Sequence, residues 1–132
     1  QKVFFDPPVY GAKKDILISK CDLFVLPSKS ENFALTVAES LALEVPVIAT
    51  KDTPWTGLNL HRCGFWVDGG ENSLVETLKT VLSLPDKELI EMGQRGKKWM
   101  QRDFCWEIIC QKTLEAYLWI TTKSKKPSFV YL

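Results

Sequence analysis

Residues 22–39 read Asp22-Leu23-Phe24-Val25-Leu26-Pro27-Ser28-Lys29-Ser30-Glu31-Asn32-Phe33-Ala34-Leu35-Thr36-Val37-Ala38-Glu39. The apolar run closed by Pro27 has the pattern of a buried strand. Apolar residues then recur at helical spacing over residues 34–43. Val45-Pro46-Val47-Ile48-Ala49-Thr50 reads as a second strand. The order strand, turn, helix, strand puts the turn at the carboxyl edge of a parallel sheet. Ligands bind at that edge in open α/β folds.

Two glutamates, Glu31 and Glu39, bracket the helix start. Eight residues at about 1.5 Å rise separate them by roughly 12 Å. Carboxylates that share a proton must lie much closer, so a direct acid/base dyad is disfavoured. The spacing suits an extended ligand gripped at two points. Between them, the amides of Phe33, Ala34, Leu35 and Thr36 belong to the first helical turn. Such amides lack intrahelical acceptors and sit at the positive end of the helix dipole. A phosphate or pyrophosphate fits there. Ionised carboxylates on either side could accept hydrogen bonds from sugar hydroxyls. The plain alternative makes Glu31 a helix-start acid favoured by the dipole and Glu39 a solvated surface residue.

Over about nine-tenths of its length, from Val3 to about Trp119, the chain resembles the C-terminal, donor-binding domain of GT-B glycosyltransferases of the retaining, GT4-like (group 1) type. The fragments that carry the resemblance are Phe24-Val25-Leu26-Pro27-Ser28, Glu31 with Glu39, and Val45-Pro46-Val47-Ile48-Ala49-Thr50. Later ones are Cys63-Gly64-Phe65-Trp66-Val67, Glu91-Met92-Gly93 and Phe104-Cys105-Trp106. Thr53-Pro54-Trp55 resembles a subgroup found in polysaccharide gene clusters. The resemblance implies a Rossmann-like parallel sheet flanked by helices. It implies a nucleotide-sugar donor (a UDP-, GDP- or ADP-sugar), with no metal and no other cofactor. By resemblance, Glu31 faces the anomeric centre as nucleophile or electrostatic stabiliser. Asn32, Phe33, Ala34, Leu35 and Thr36 hold sugar hydroxyls and phosphate, and Glu39 holds the ribose. The base lies near Pro8, Val9 and Tyr10. Trp55 either lines the cleft or packs its own loop.

Two departures from the family pattern stand out. The family usually has Glu-Gly-Phe-Gly where this chain has Glu31-Asn32-Phe33-Ala34. Asn tolerates left-handed backbone better than most residues, and Ala34 is small enough for close approach of a ligand. The family also usually has Gly before Pro-Val, where this chain has Glu44-Val45-Pro46-Val47. That removes the favoured C′ glycine, so strain or a different helix cap is expected there.

The 132 residues make one domain of ordinary size, with 45% hydrophobic and 25% charged residues. A net charge of +1 points to no nucleic-acid surface. Cys21, Cys63, Cys105 and Cys110 lack Cys-x-x-Cys spacing, and His61 is the sole histidine, so a zinc site has little support. The cysteines are expected to be free thiols, three of them in or near the core. No apolar run approaches eighteen residues, and Gln1-Lys2-Val3 is no signal peptide. A cytoplasmic location is the expectation, with peripheral attachment to the cytoplasmic face of a membrane as its variant. The resemblance further implies that the chain begins partway through the donor domain. The basic pair that grips the pyrophosphate and the domain that binds an acceptor sugar or lipid-linked sugar would then lie outside it, leaving the chain alone inactive.

Along the chain, residues 3–5 read as a strand, 13–20 as a helix and 23–26 as a strand. The site helix should turn Leu35, Ala38, Leu41 and Ala42 to the core. Residues 47–50 and 65–67 read as strands, joined by a loop with one helical turn near Leu58. Ser73 and Glu76 have capping-box spacing, which predicts a helix over 74–83. Pro85 opens a helix over 86–102. A last helix over 106–121 carries Ile109, Cys110, Leu114, Tyr117 and Leu118 on one face. Trp99, Trp106 and Trp119 read as core or interface. The domain is read as 1–122 with a tail over 123–132. Lys13 and Lys14 could approach a phosphate or be a solvated helix start. Against the transferase reading stand an inactive binding module of the same fold and an unrelated flavodoxin-like regulatory domain. The latter wants an acidic pocket at the strand ends, which the sequence does not offer.

Overall fold

The computed structural model describes residues 3–131. The chain divides into two compact units, one up to Lys98 and one from Trp99 onward. The first contains α1 (Ala12–Ser19), β1 (Phe24–Leu26), α2 (Leu35–Ala42), β2 (Val47–Thr50), α3 (Gly57–Leu60), β3 (Gly64–Val67) and α4 (Glu71–Leu82). Helix α5 (Asp86–Asp103) runs from the first unit into the second, which also holds α6 (Trp106–Thr122).

The three strands form one parallel sheet in the order β1-β2-β3. Val25 lies opposite Ile48, and Ile48 lies opposite Phe65. Parallel neighbours need crossovers, which α2 and the loop with α3 supply. All four residues of β2 are buried, whereas the three residues of β1 are half-buried. A strand flanked on both edges and covered on both faces reads as a continuous apolar run, which is why Val47-Ile48-Ala49 was recognisable. Val37, Leu41, Val45, Leu58 and Val81 are buried with it in the core of the first unit.

Residues 3–5 are not a strand. They have no place in the sheet, and Phe5 is 96% exposed. Apolar character gives strand propensity, but a strand exists only with a ladder partner. The core face of α2 also differs from the expected one. Val37, Ser40 and Leu41 are buried, while Leu35 and Ala42 are exposed. Ser40 can be buried because its hydroxyl donates to the Thr36 carbonyl at 2.8 Å. Helix α4 starts at Glu71 behind Gly70, so Ser73 and Glu76 lie inside it and form no capping box. The positive φ of Gly70, 115°, makes that start available without a side-chain cap.

Helix α2 ends in a Schellman motif. The Val45 amide donates to the Ser40 carbonyl at 2.9 Å, and the Glu44 amide donates to Leu41 at 3.1 Å. Glu44 occupies the left-handed C′ position with φ 63°. The expected strain is therefore present, and the cap is the ordinary one with the wrong residue in it. Helix α5 approaches the same turn through Gly93. A Cβ there would lie 1.9 Å from the Glu44 carbonyl oxygen. Glu44 Oε1 accepts from Lys97 Nζ at 2.7 Å, an exposed pair of small energetic weight.

The four cysteines are free. Cys63 is buried, Cys105 is half-buried, and Cys21 and Cys110 are exposed, so fewer lie near the core than expected. Burial pushes the Cys63 thiol up to about 11. In the second unit, Trp99 and Phe104 meet edge to face at 5.7 Å. Trp106 is 79% exposed and Trp119 is half-buried. No residue of α6 is buried, so its apolar face is not core among the described residues. No described helix is long and apolar enough to cross a membrane.

Replacing a left-handed non-glycine residue by glycine removes about 1–2 kcal/mol of backbone strain but adds unfolded-state entropy. Glu44→Gly is accordingly expected to raise stability by about 0.5–1 kcal/mol. Urea denaturation checks this, and an unchanged or lowered midpoint would show the turn to be unstrained.

Candidate functional site

Residues 28–34 connect the carboxyl end of β1 to α2. Four contacts from the end of β2 and the chain after it hold them down. The Thr50 hydroxyl donates to the Ser28 carbonyl. The Glu31 amide donates to the Asp52 carbonyl at 3.3 Å. The Trp55 indole N–H donates to the Phe33 carbonyl, and the Phe33 and Trp55 rings lie 5.1 Å apart. Trp55 is in turn fixed from β3. The Trp66 indole N–H donates to Thr53 at 3.0 Å, and the Thr53 hydroxyl donates back to Thr50 at 2.7 Å. Asn59 bonds both backbone groups of Trp66. Thr53-Pro54-Trp55 is thus an internal brace for the turn.

That brace meets the turn beside its strained point. Ala34 has φ 59° and ψ 67°, a left-handed conformation, and it precedes the first residue of α2. Asn32 is not among the residues with positive φ, so the left-handed position falls on Ala34 and not on Asn32. The turn survives without glycine because β-carbon strain of this size is within what several buried hydrogen bonds can hold.

Leaving the turn in this conformation frees its amides. Among the described residues, those of Ala34, Leu35 and Thr36 donate to no protein acceptor. The Val37 amide is the first in α2 to find one, the Ala34 carbonyl at 2.9 Å. The helix start therefore offers unsatisfied donors at a positive dipole end. Glu31 and Thr36 are half-buried at this place, Asn32, Phe33 and Leu35 are exposed, and Ala34 is buried.

Glu39 lies one turn further along α2 and is neither solvated nor free. Its Oε1 accepts from Lys14 Nζ of α1 at 2.6 Å. The side chains of Lys14 and Glu39 are 30% and 26% exposed. Glu39 Oε2 is shielded from solvent and has no partner, the one buried side-chain polar atom of which this is true among the described residues. Val9 is half-buried and Tyr10 exposed, and both immediately precede the Gly11 N-cap of α1, one turn before Lys14.

The sequence-derived residues thus fall into two groups. The residues from Glu31 to Glu39 are brought to one helix start. Trp55 is 2% exposed and lies under the turn with its N–H engaged, so it packs the loop and offers no ring to the open edge. Two roles are not legible in the sequence. Lys14 reads there as a phosphate contact or a solvated helix start, and its pairing with Glu39 follows only from the meeting of α1 and α2. Trp66 carried no signal, because its role depends on where the loop after β2 folds back.

A three-stranded parallel sheet flanked by helices makes this an α/β domain of the Rossmann-like kind, as in the C-terminal half of GT-B folds. The solved structures bear this out. Sucrose-phosphate synthase from Thermosynechococcus elongatus superposes with a TM-score of 0.70 at 25% identity, over 83% of this chain. The chain spans 28% of that enzyme's length. A comparison with curated proteins gave no match. The family model for group 1 glycosyl transferases matches residues 1–99, so the chain belongs to the group 1 glycosyltransferase family.

Trp55→Phe keeps the ring packing and removes the indole N–H that donates to the Phe33 carbonyl. A hydrogen bond of this kind contributes about 0.5–1.5 kcal/mol net. A loss of about 1 kcal/mol in a denaturant melt is therefore expected. A loss below roughly 0.5 kcal/mol would mean that the indole N–H does not brace the turn.

Proposed function

We propose that this chain is the nucleotide-sugar-binding part of a retaining glycosyltransferase that moves a sugar from a UDP-, GDP- or ADP-sugar to an acceptor hydroxyl. The observation that carries the reading is Glu39 Oε2, a shielded carboxylate oxygen with no donor. Buried polar atoms are nearly always satisfied, and an exception asks for a missing partner. A ribose hydroxyl is a donor of the right kind. The free amides of Ala34, Leu35 and Thr36, one turn before it, suit the donor's phosphate or sugar oxygens. As the bond to the leaving diphosphate breaks, negative charge grows on its oxygens. Preorganised amides that need no reorientation stabilise that charge.

Glu31 then stands beside the donor sugar, as nucleophile or as electrostatic partner of the developing positive charge at the anomeric carbon. Its backbone amide donates to the Asp52 carbonyl at 3.3 Å, which supports an ordered turn at this point. Asn32 and Phe33 line the sugar end, and Val9 with Tyr10 borders the base. The acceptor, a sugar or a lipid-linked sugar, belongs to a second domain of the whole enzyme. Surface polysaccharide synthesis at the cytoplasmic face of a membrane is the role suggested by the Thr53-Pro54-Trp55 resemblance.

A second reading has support in one feature. Ala34 places a Cβ at a left-handed position where the family resemblance implies glycine. An inactive binding module would tolerate that.

Calorimetric titration of the full-length protein with UDP, GDP and ADP separates the two. The transferase reading predicts selective binding of one nucleotide, weakened at least about tenfold, or roughly 1.4 kcal/mol, by Glu39→Ala. Glu31→Gln should leave that affinity within about threefold, well under the 1.4 kcal/mol of a tenfold change, while abolishing turnover. No binding to any of the three would favour the inactive module.

A further inference from the structure

Lys14 is the residue at this edge that neither the family pattern nor the two-glutamate spacing assigns. We propose that Lys14 is a positioning residue, which holds Glu39 in the rotamer that accepts the donor's ribose. The inference rests on the ribose reading of Glu39.

The geometry is specific. Among the described residues, Lys14 Nζ lies 2.6 Å from Oε1 and engages that oxygen alone, which leaves Oε2 shielded and without a donor. The two residues are 25 positions apart and on different helices, α1 and α2. The pair therefore also fixes the spacing of the helices that flank the site. A glutamate has three rotatable bonds, and an unrestrained carboxylate gains both hydration and rotamer freedom by swinging outward. A charge-assisted hydrogen bond from a half-buried ammonium opposes that movement. With Oε1 engaged, the carboxylate is held ready before any ligand arrives, and the ligand need not supply the ordering.

Two other roles for Lys14 make opposite forecasts. If its ammonium competed with the ligand for Glu39, removing it would tighten nucleotide binding. If it contacted the diphosphate directly, its removal would cost the same whether or not Glu39 were charged.

The test is a double-mutant cycle in the full-length protein, read by calorimetric titration with whichever of UDP, GDP and ADP binds. Lys14→Met is expected to weaken binding about tenfold, or roughly 1.4 kcal/mol. Lys14→Arg, which keeps the cation, should stay within about threefold of the parent, below that 1.4 kcal/mol step. In a Glu39→Gln background, Lys14→Met should cost less than about twofold, because the group it positions is no longer an anion. Unchanged or tighter binding in Lys14→Met overturns the proposal. So does a full tenfold loss in the Glu39→Gln background. Undiminished binding in Glu39→Ala would instead overturn the ribose reading itself, whatever Lys14 does.

Discussion

The complete burial of β2 is the constraint from which the rest of the first unit follows. Its backbone pairs on both edges, and its side chains meet protein on both faces. The backbone groups of a strand so placed have no access to water, so its neighbours must lie close and in register. Gly64 shows how close. A Cβ there would lie 2.1 Å from the Val47 carbonyl oxygen, and no side chain could be accommodated without moving a strand. At the other end, Thr50 leaves the sheet with its hydroxyl on the Ser28 carbonyl. The strand that makes the core therefore also hands its rigidity to the turn that makes the site.

The turn itself is a compromise between two demands. It must leave amides free at the start of α2, and it must do so with Ala34 in a conformation that favours glycine. A turn of this kind does not hold itself. The buried Trp55, tied to Phe33 on one side and braced through Thr53 and Trp66 on the other, does the holding. The same pattern recurs at the far end of α2, where Glu44 takes a second left-handed position and α5 packs against it through Gly93. Both ends of the site helix are thus strained locally and restrained by packing, an arrangement common where strain serves preorganisation.

The same edge is also electrostatically organised. The dipole end of α2 is positive, and Glu39 one turn away is compensated by Lys14. A carboxylate as shielded as this one would be costly without that cation. In this member of the group 1 glycosyltransferase family, the helix start and the Lys14–Glu39 pair thus support one another, with Asn32 and Ala34 in the turn before α2.

Much of this was legible in the residues alone. The apolar runs of β1 and β2, the helical period of α2 and the Glu31–Glu39 spacing are local patterns, and local pattern is what periodicity reports. The helix of one turn near Leu58 and the long α5 behind Pro85 were legible for the same reason. Tertiary structure alone decided the rest. Residues 3–5 have strand composition but no ladder partner. The Ser73–Glu76 spacing fell inside a helix whose start was set by Gly70. The α6 face is periodic yet exposed. The left-handed residue proved to be Ala34 and not Asn32. Trp55 went under the turn, and Lys14 found Glu39 across 25 positions. Each of these depends on which surfaces meet, and that is a property of the packed chain, because a contact between distant residues leaves no period in the sequence.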